Sequence, residues 1–320
     1  MLMSSKEEYI AFCSQTPEIP LFLQPWWLDA VTKPDGKEWR VLLARNKEGK
    51  VEAVMPFLYG SKIGMRYALT PQLTQYTGVW IAEKEGESIT QRLSREKALQ
   101  NDIIRQIEGL QLSFFNLSFP LSYTWWSPFY WAGYRQHTQY TYRIEDLSDL
   151  EGVYSRIDKV KRRHIRNAEQ TLSIRFDMTA QEFYKFQCAQ LAQKNDTNIA
   201  SEKLVTHLVQ TACTRGQGFI VSAVDTGNEV HAAYFIPYDH HAAYELISAI
   251  NPKYRDSGGS VLALWAAIKK AAEVTKSFDF EGSMIENVEH NNRQFGGVPV
   301  PYYTIRKATK WFEIMNLCRK

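Results

Sequence analysis

Glu245 lies in the run Ala242-Ala243-Tyr244-Glu245-Leu246-Ile247, and Glu281 in Phe278-Asp279-Phe280-Glu281-Gly282, so both carboxylates stand among apolar neighbours. Withdrawal from water disfavours the charged form of a carboxyl group, and its pKa rises toward the range where a general base works near neutral pH. An amine that attacks a carbonyl must first lose a proton, and a buried carboxylate is suited to take it. Glu281 comes first because it ends a strand beside Gly282, where an active-site loop begins. Glu245 is the second candidate, with the adjacent Tyr244 as proton donor to a leaving group. The plainer reading of each carboxylate is a structural hydrogen bond to a nearby backbone group or tyrosine.

The segment Asn251-Pro252-Lys253-Tyr254-Arg255-Asp256-Ser257-Gly258-Gly259-Ser260 carries a second kind of chemistry. A strand that ends in a glycine loop and passes into a helix presents unpaired backbone N–H groups. Together with the aligned peptide dipoles, these hold an anion such as a pyrophosphate. Gly258 and Gly259 permit close backbone approach and Arg255 adds a fixed positive charge, with Asp256, Ser257 and Ser260 completing the loop. A glycine-rich helix entry with no ligand is the competing reading. Upstream, Lys161-Arg162-Arg163-His164-Ile165-Arg166 is a one-sided basic helix with few acidic partners before Glu169. Its cations suit phosphate, Arg163 and Arg166 foremost, or else form a solvated face.

Other constellations read more plainly. Asp239-His240-His241 puts three ligand types at consecutive positions, where side chains diverge, and reads as a polar turn. Cys188 and Cys213 lie on expected helices near the apolar face and read as buried thiols. The four cysteines, including Cys13 and Cys318, are far apart and form no CxxC pair, so metal-ligand spacing is absent. No Ser-His-Asp or Cys-His arrangement has supporting local context. Trp26-Trp27, Tyr123–Trp126 and Phe129–Trp131 pack a core by default, or together line an acceptor groove for a sugar or peptide.

These groups need a scaffold, and the chain supplies one in two halves. The first opens with an apolar-periodic segment near Lys6–Cys13, then a hairpin of Trp39–Arg45 and Val51–Tyr59 around Asn46-Lys47-Glu48-Gly49-Lys50. Tyr67–Ile81 reads as loop plus a short strand, Ser94 caps a helix carrying Leu99, Ile103 and Ile107, and Leu112–Ser118 and Tyr140–Ile144 read as strands. In the second half a helix over Asp158–Leu172 precedes a short strand at Ser173–Asp177. A Thr179–Glu182 capping box opens a helix to about Lys194, and another starts at Ser201. Strands Phe219–Val224, Val230–Tyr238 and Ala242–Ile250 lead into the glycine loop and a helix with Val261, Leu264, Trp265, Ile268 and Ala272 inward. Phe278–Phe280, a helix over Ile285–Gln294, Val300–Ile305 and a helix over Thr309–Leu317 close the chain. Val51–Tyr59 and Val230–Tyr238 parallel one another after a strand and a polar turn, an internal repeat that places a boundary near Asp146–Glu151.

At 320 residues, 44% hydrophobic and 23% charged, the composition is that of a globular protein with room for two cores. A net charge of only +3 argues against a dedicated nucleic-acid coat. Met1–Tyr9 lacks the apolar region of a signal peptide, and no run reaches the roughly 18 apolar residues of a membrane span, so a cytoplasmic protein without integral membrane association is expected. Sequons at Asn116 and Asn195 then carry no weight.

The order β-α-α-β-β-β-α-β-α-β between Ser173 and Ile305, with the glycine loop between strand and helix, resembles the GNAT acyltransferase superfamily. Its hallmark is a basic residue or Gln, two spacers, then Gly-x-Gly or Gly-x-Ala at a helix start; here the glycines are adjacent and Ser260 follows. Lys161–Ala168 is similar to the basic helix opening the second domain of the FemAB-like branch, whose members are tandem GNAT proteins. Phe278–Ser283 and Arg293-Gln294-Phe295-Gly296-Gly297 resemble that branch near its acceptor site, with Asn292-Arg293 where better-known members have Phe-Lys.

The resemblance implies two tandem GNAT-like domains, each α/β (α+β) with a mixed, largely antiparallel sheet flanked by helices. Residues 1–148 would face the acceptor and 149–320 the donor. It implies a bacterial N-acyltransferase moving an acyl group from acetyl-CoA or another acyl-CoA to an amine, such as an amino sugar or cell-wall precursor, without metal. Arg163, Arg166 and Arg293 would bind substrate. One alternative is a FemAB-like transferase that uses aminoacyl-tRNA on a peptidoglycan precursor; another is a GNAT-fold protein that binds ligand without catalysis.

Overall fold

The computed structural model describes residues 4–193, 197, 200–282 and 284–317. Lys194, Asn195, Ser283 and Cys318, each singled out above, lie outside the described residues. The chain forms two compact units, Met1–Gln139 together with Pro301–Lys320, and Tyr140–Val300.

Chain order begins α1 (Ser5–Ser14), α2 (Pro25–Thr32), β1 (Glu38–Arg45), β2 (Val51–Lys62), β3 (Met65–Leu69), β4 (Trp80–Ile81), α3 (Ile89–Gly109), β5 (Phe114–Ser118), α4 (Ser127–Trp131) and β6 (Arg135–Ile144). It continues with α5 (Leu150–Arg156), α6 (Lys159–Ala168), β7 (Ser173–Arg175), α7 (Ala180–Gln193), α8 (Glu202–Thr214), β8 (Gly218–Val224), β9 (Val230–Pro237), β10 (Ala242–Tyr244) and β11 (Ile247–Ile250). The last elements are α9 (Gly259–Ala271), β12 (Ser277–Gly282), α10 (Glu286–Gln294), β13 (Val298–Ala308) and α11 (Lys310–Leu317).

In the first unit the strands run β1-β2-β3-β5-β13, with β4 also on β2. β3 and β5 are parallel and the other pairs antiparallel. α3 packs Leu99, Ile103, Ile104 and Ile107 into one core with Ala53, Met55 and Phe57 of β2 and Phe115 and Leu117 of β5. Each such buried aliphatic side chain stabilises the fold by roughly 1.5–3 kcal/mol. This helix begins earlier than the apolar stripe suggests. Ser88, not Ser94, is its cap, because Ser88 and Gln91 make both hydrogen bonds of a capping box.

The internal repeat is a shared turn geometry. Asn46 Oδ1 accepts the Glu48 and Lys50 amides, and Asp225 Oδ1 accepts the Gly227 and Glu229 amides. The left-handed position is Gly49 in one turn and Asn228 in the other, and both hairpins are bulged at the preceding strand end. Asn and Asp favour such turns because the short side chain hydrogen-bonds its own backbone ahead.

In the second unit β11-β9-β8-β7 form an antiparallel sheet, and residues 141–144 of β6 pair with β12, which pairs in parallel with β10. The boundary expected near Asp146–Glu151 therefore falls beyond residues already paired in this unit. Pro301–Lys320 belongs with the first unit, where β13 matches Thr304 to Ser118 and Ala308 to Phe114. α8 buries the expected stripe Leu204, Val205, Leu208, Val209 and Ala212, and Ser201 caps it. Cys213 sits just off that stripe and is exposed, and Cys188 is half-buried, so neither is the buried thiol the helical pattern suggested.

The strand expected over Ala242–Ile250 is broken. β10 pairs with β12, whereas β11 pairs with β9, and the sheet splits at Glu245-Leu246. The Leu246 amide donates to Tyr244 O at 2.9 Å, a tight three-residue turn centred on Glu245, and the Glu245 amide donates to Asp279 O at 2.8 Å.

Candidate active site

Period-2 alternation along β12 sends Phe278 and Phe280 into the core with α9, and leaves Ser277, Asp279 and Glu281 on the other face. Asp279 is fully buried and accepts hydrogen bonds from the Thr141 hydroxyl and, at 2.8 Å, from the Glu281 amide. Arg143 Nε stands 3.8 Å from the second Asp279 oxygen, while its Nη2 donates to Ser277 Oγ at 2.6 Å. The Glu281 backbone takes φ +62° where β12 shifts register against β6. A side chain rarely adopts that conformation, and Asp279 holds it by accepting the Glu281 amide.

Glu281 lies within the electrostatic reach of Glu245 at the split. Each residue is half-buried as a whole, yet Glu281 Oε1 and Glu245 Oε2 are inaccessible and have no hydrogen-bond partner among the described residues. Burial raises the Glu245 pKa to about 8, with the Lys161 ammonium pulling the other way. Burial raises Glu281 well above the usual carboxylate range, and the charges of Asp279 and Glu245 push it further. Lys161 is held below its ordinary value by burial; its Nζ donates to Asn291 Oδ1 at 2.6 Å and lies 5.4 Å from the Phe295 ring centre. Tyr234 donates from its hydroxyl to Ser260 O at 3.2 Å, and burial and the Glu245 charge raise its pKa. Tyr234 thus lies between the carboxylates and the start of α9.

At that end of α9, a 3-10 turn over Pro252–Ser257 leads to Gly258 at φ +76°. A cavity of about 370 Å³ opens beside it, lined by Arg163, His164 and Asn167 of α6 and by Asp256, Ser257 and Gly258. The structure therefore gathers the glycine loop and the basic helix into one polar recess, with the Arg163 guanidinium and the Asp256 carboxylate both in its lining. The glycines have a reason the sequence did not disclose. A Cβ on Gly258 would stand 2.9 Å from His164 O, and one on Gly259 would stand 2.7 Å from His231 Cβ. Close packing of α6 and β9 on the loop demands them.

The expected residues separate into those at the two sites and those outside. Arg163, Asp256, Ser257 and Gly258 line the recess; Gly259 starts α9, and the Ser260 carbonyl is taken by Tyr234. Arg255 and Arg166 are exposed and outside the lining. Arg293 is tied on its own helix to Glu289 at 2.9 Å and to His290 at 3.2 Å. Tyr244 is fully buried beside the split. Asp239 accepts the His241 and Ala242 amides, which makes that segment a turn. Among the described residues no group of three or more His, Cys, Asp or Glu is arranged to hold a metal ion, and no helix is long and apolar enough to cross a membrane.

Lys161, Asp279 and Tyr234 were missed from the sequence. Lys161 lies four residues before Ile165 and seven before Ala168, on the buried stripe of α6, and Asp279 shares the alternation of Glu281. A third constellation also escaped notice. His231 places Nδ1 2.9 Å from Ser257 Oγ and Nε2 3.3 Å from Asp225 Oδ2, joining residues from a turn, a strand and the glycine loop.

Residues 155–284 match the model of the acetyltransferase (GNAT) domain. Among solved structures, FemX superposes with a TM-score of 0.71 over 94% of this chain and 96% of that chain, at 9% identity. A C-terminal domain of a putative lysylphosphatidylglycerol synthetase from Agrobacterium fabrum gives 0.57 over 95% and 93%, at 12% identity. A tandem GNAT protein from the clavulanic acid biosynthesis pathway gives 0.52 over 93% and 92%, at 11% identity. At these identities the likeness is one of fold, and it is the mixed α/β fold of tandem GNAT proteins. No curated protein matches the sequence.

Proposed function

We propose, on the match of residues 155–284 to the acetyltransferase (GNAT) domain, that the protein is an N-acyltransferase whose acyl-CoA-type donor is held at the Asp256–Gly258 recess and whose amine acceptor is deprotonated by Glu245. The observation that carries this reading is the split of the sheet at Glu245, where one oxygen each of Glu245 and Glu281 is inaccessible and without a partner among the described residues. Native proteins leave few buried polar atoms unpaired, and such exceptions favour sites that a substrate completes.

The recess suits a diphosphate. It has the α9 N-terminus, the Arg163 guanidinium and a polar lining, and the bound donor would supply a thioester carbonyl and a thiol leaving group. A pKa near 8 lets Glu245 exchange a proton with an incoming ammonium at little cost. Burial and the neighbouring Asp279 charge also raise the pKa of Glu281, which favours its neutral, hydrogen-bond-donating form. Lys161 offsets the charge when Glu245 ionises. Tyr234, fixed between Glu245 and Ser260, is better placed than Tyr244 to meet the donor end. An amino sugar or cell-wall precursor is the acceptor class this reading favours, and the cytoplasm its compartment.

Calorimetric titration with acetyl-CoA and CoA tests the donor site. Micromolar binding that Arg163→Ala weakens supports it, and no binding by the intact protein sinks it. The exposed cations Lys159 and Arg166 on α6, outside the recess, keep aminoacyl-tRNA as a second donor reading; a transfer that requires charged tRNA would select it. Ligand binding without turnover in either assay would select a non-catalytic protein.

A further inference from the structure

The Asp225–His231–Ser257 chain ends on a residue that lines the anion recess. His231 is buried, and its ring stacks on Tyr254 at 3.9 Å with an interplanar angle of 3°. Ser257 Oγ also accepts the Gly259 amide at 3.1 Å, at the first residue of α9. For a neutral His231 ring these contacts assign who donates. The Asp225 carboxylate accepts two amides and is held below the usual range, so it is an acceptor and His231 Nε2 carries a proton toward it. In neutral imidazole Nδ1 is then bare, and the Ser257 hydroxyl must donate to it. With its lone pair on Gly259 and its proton on His231, the Ser257 hydroxyl has no donor left for the recess.

We propose that anion binding in this recess is coupled to uptake of a proton by His231, relayed through Ser257. This rests on the donor-loop reading above. When a phosphate oxygen enters, the Ser257 O–H turns to donate to it. Nδ1 would lose its hydrogen bond, and instead takes one proton from solvent and donates N–H to Ser257 Oγ. Ser257 then accepts from Gly259 and His231 and donates to the anion, and every group is satisfied. The imidazolium lies between the Asp225 carboxylate and the Tyr254 ring face, both of which favour a cation, and it adds one positive charge beside the anion.

The charges around the ring allow this. Glu229 lies in the same turn as Asp225, and Lys253 sits on Tyr254, 4.9 Å from its ring centre, in the field of both acids. Asp256, Arg163 and His164 all line the recess. β9 carries no Asp, Glu, Lys or Arg, and the cations of α9, Lys269 and Lys270, stand in its last turn.

Calorimetry of the whole protein with CoA and with inorganic pyrophosphate, in buffers of different ionisation enthalpy, counts the protons taken up on binding. His231→Asn keeps an acceptor for Ser257 but cannot titrate, and the ligand's own titration cancels in the comparison. The expected result is that the wild-type protein takes up more protons than the variant, by a fraction approaching one. Its affinity then falls with rising pH, by up to about tenfold per pH unit, and the variant's does not. Ser257→Ala removes one hydroxyl, serves if His231→Asn does not fold, and should abolish the extra uptake. Tight binding with equal proton counts in all three proteins would overturn the coupling and leave the donor site standing. Absence of binding by the wild-type protein would overturn both.

Discussion

The Glu281 amide donates to the Asp279 carboxylate at 2.8 Å across a backbone held at φ +62°. One buried acid thereby shapes the backbone that presents the next, and its charge adds to the burial that raises the pKa of that neighbour. Asp279→Ala should cost about 2–4 kcal/mol, because the Thr141 hydroxyl and the Glu281 amide lose their acceptor together. Urea denaturation measures it; a loss below about 0.5 kcal/mol would show that Asp279 does not hold the bulge.

Transfer should require Glu245 as its anion. The rate at saturating donor is expected to rise with pH and level off above about 8, the value to which burial raises this carboxyl. Glu245→Gln should lower kcat by about 10²–10⁴ and remove the rising limb. A full pH profile retained in the variant would transfer the role to Glu281.

The same carboxyl should make stability fall with pH. A group whose folded pKa is raised binds its proton more tightly in the folded state, so its contribution is complete below the unfolded pKa and lost as pH rises toward 8. Glu245→Gln should therefore gain on the wild-type protein between pH 5 and 8, by up to about 1 kcal/mol per pH unit. Thermal unfolding of both across that range checks the sign, and a gap that narrows with pH would contradict it.

Arginines should divide by their partners. Arg163 lines the recess, and Arg163→Ala should weaken donor binding by about tenfold or more. Arg293 is paired with Glu289 at 2.9 Å, and Arg293→Ala should leave donor affinity within about twofold. Equal losses in a binding titration would mean that general positive charge, not the recess, captures the donor.

Gly258 is expected to resist replacement for a structural reason. Gly258→Ala meets both the left-handed φ and a contact of 2.9 Å with the His164 carbonyl, so α6 must shift. A loss of about 1–3 kcal/mol, with Arg163 displaced from the recess, should appear in denaturation and in donor affinity together.

The sequence alone determined whatever depends on local spacing. Leu204, Val205, Leu208 and Val209 formed the buried stripe they spelled out, because a helix repeats every 3.6 residues whatever surrounds it. Val51–Tyr59 and Val230–Tyr238 could be seen to parallel one another after polar turns, and the loop at Gly258 opened a helix as its residue types required. Tertiary structure decided what depends on two segments meeting. Ala242–Ile250 reads as one strand because its residues suit one; only pairing with both β9 and β12 breaks it at Glu245. Lys161 looked like one more cation on a basic helix until packing turned it inward beside Glu245. Asp225, His231 and Ser257 carry no common motif, and no local pattern could join them, since a hydrogen-bond chain is set by distance in space and not along the chain.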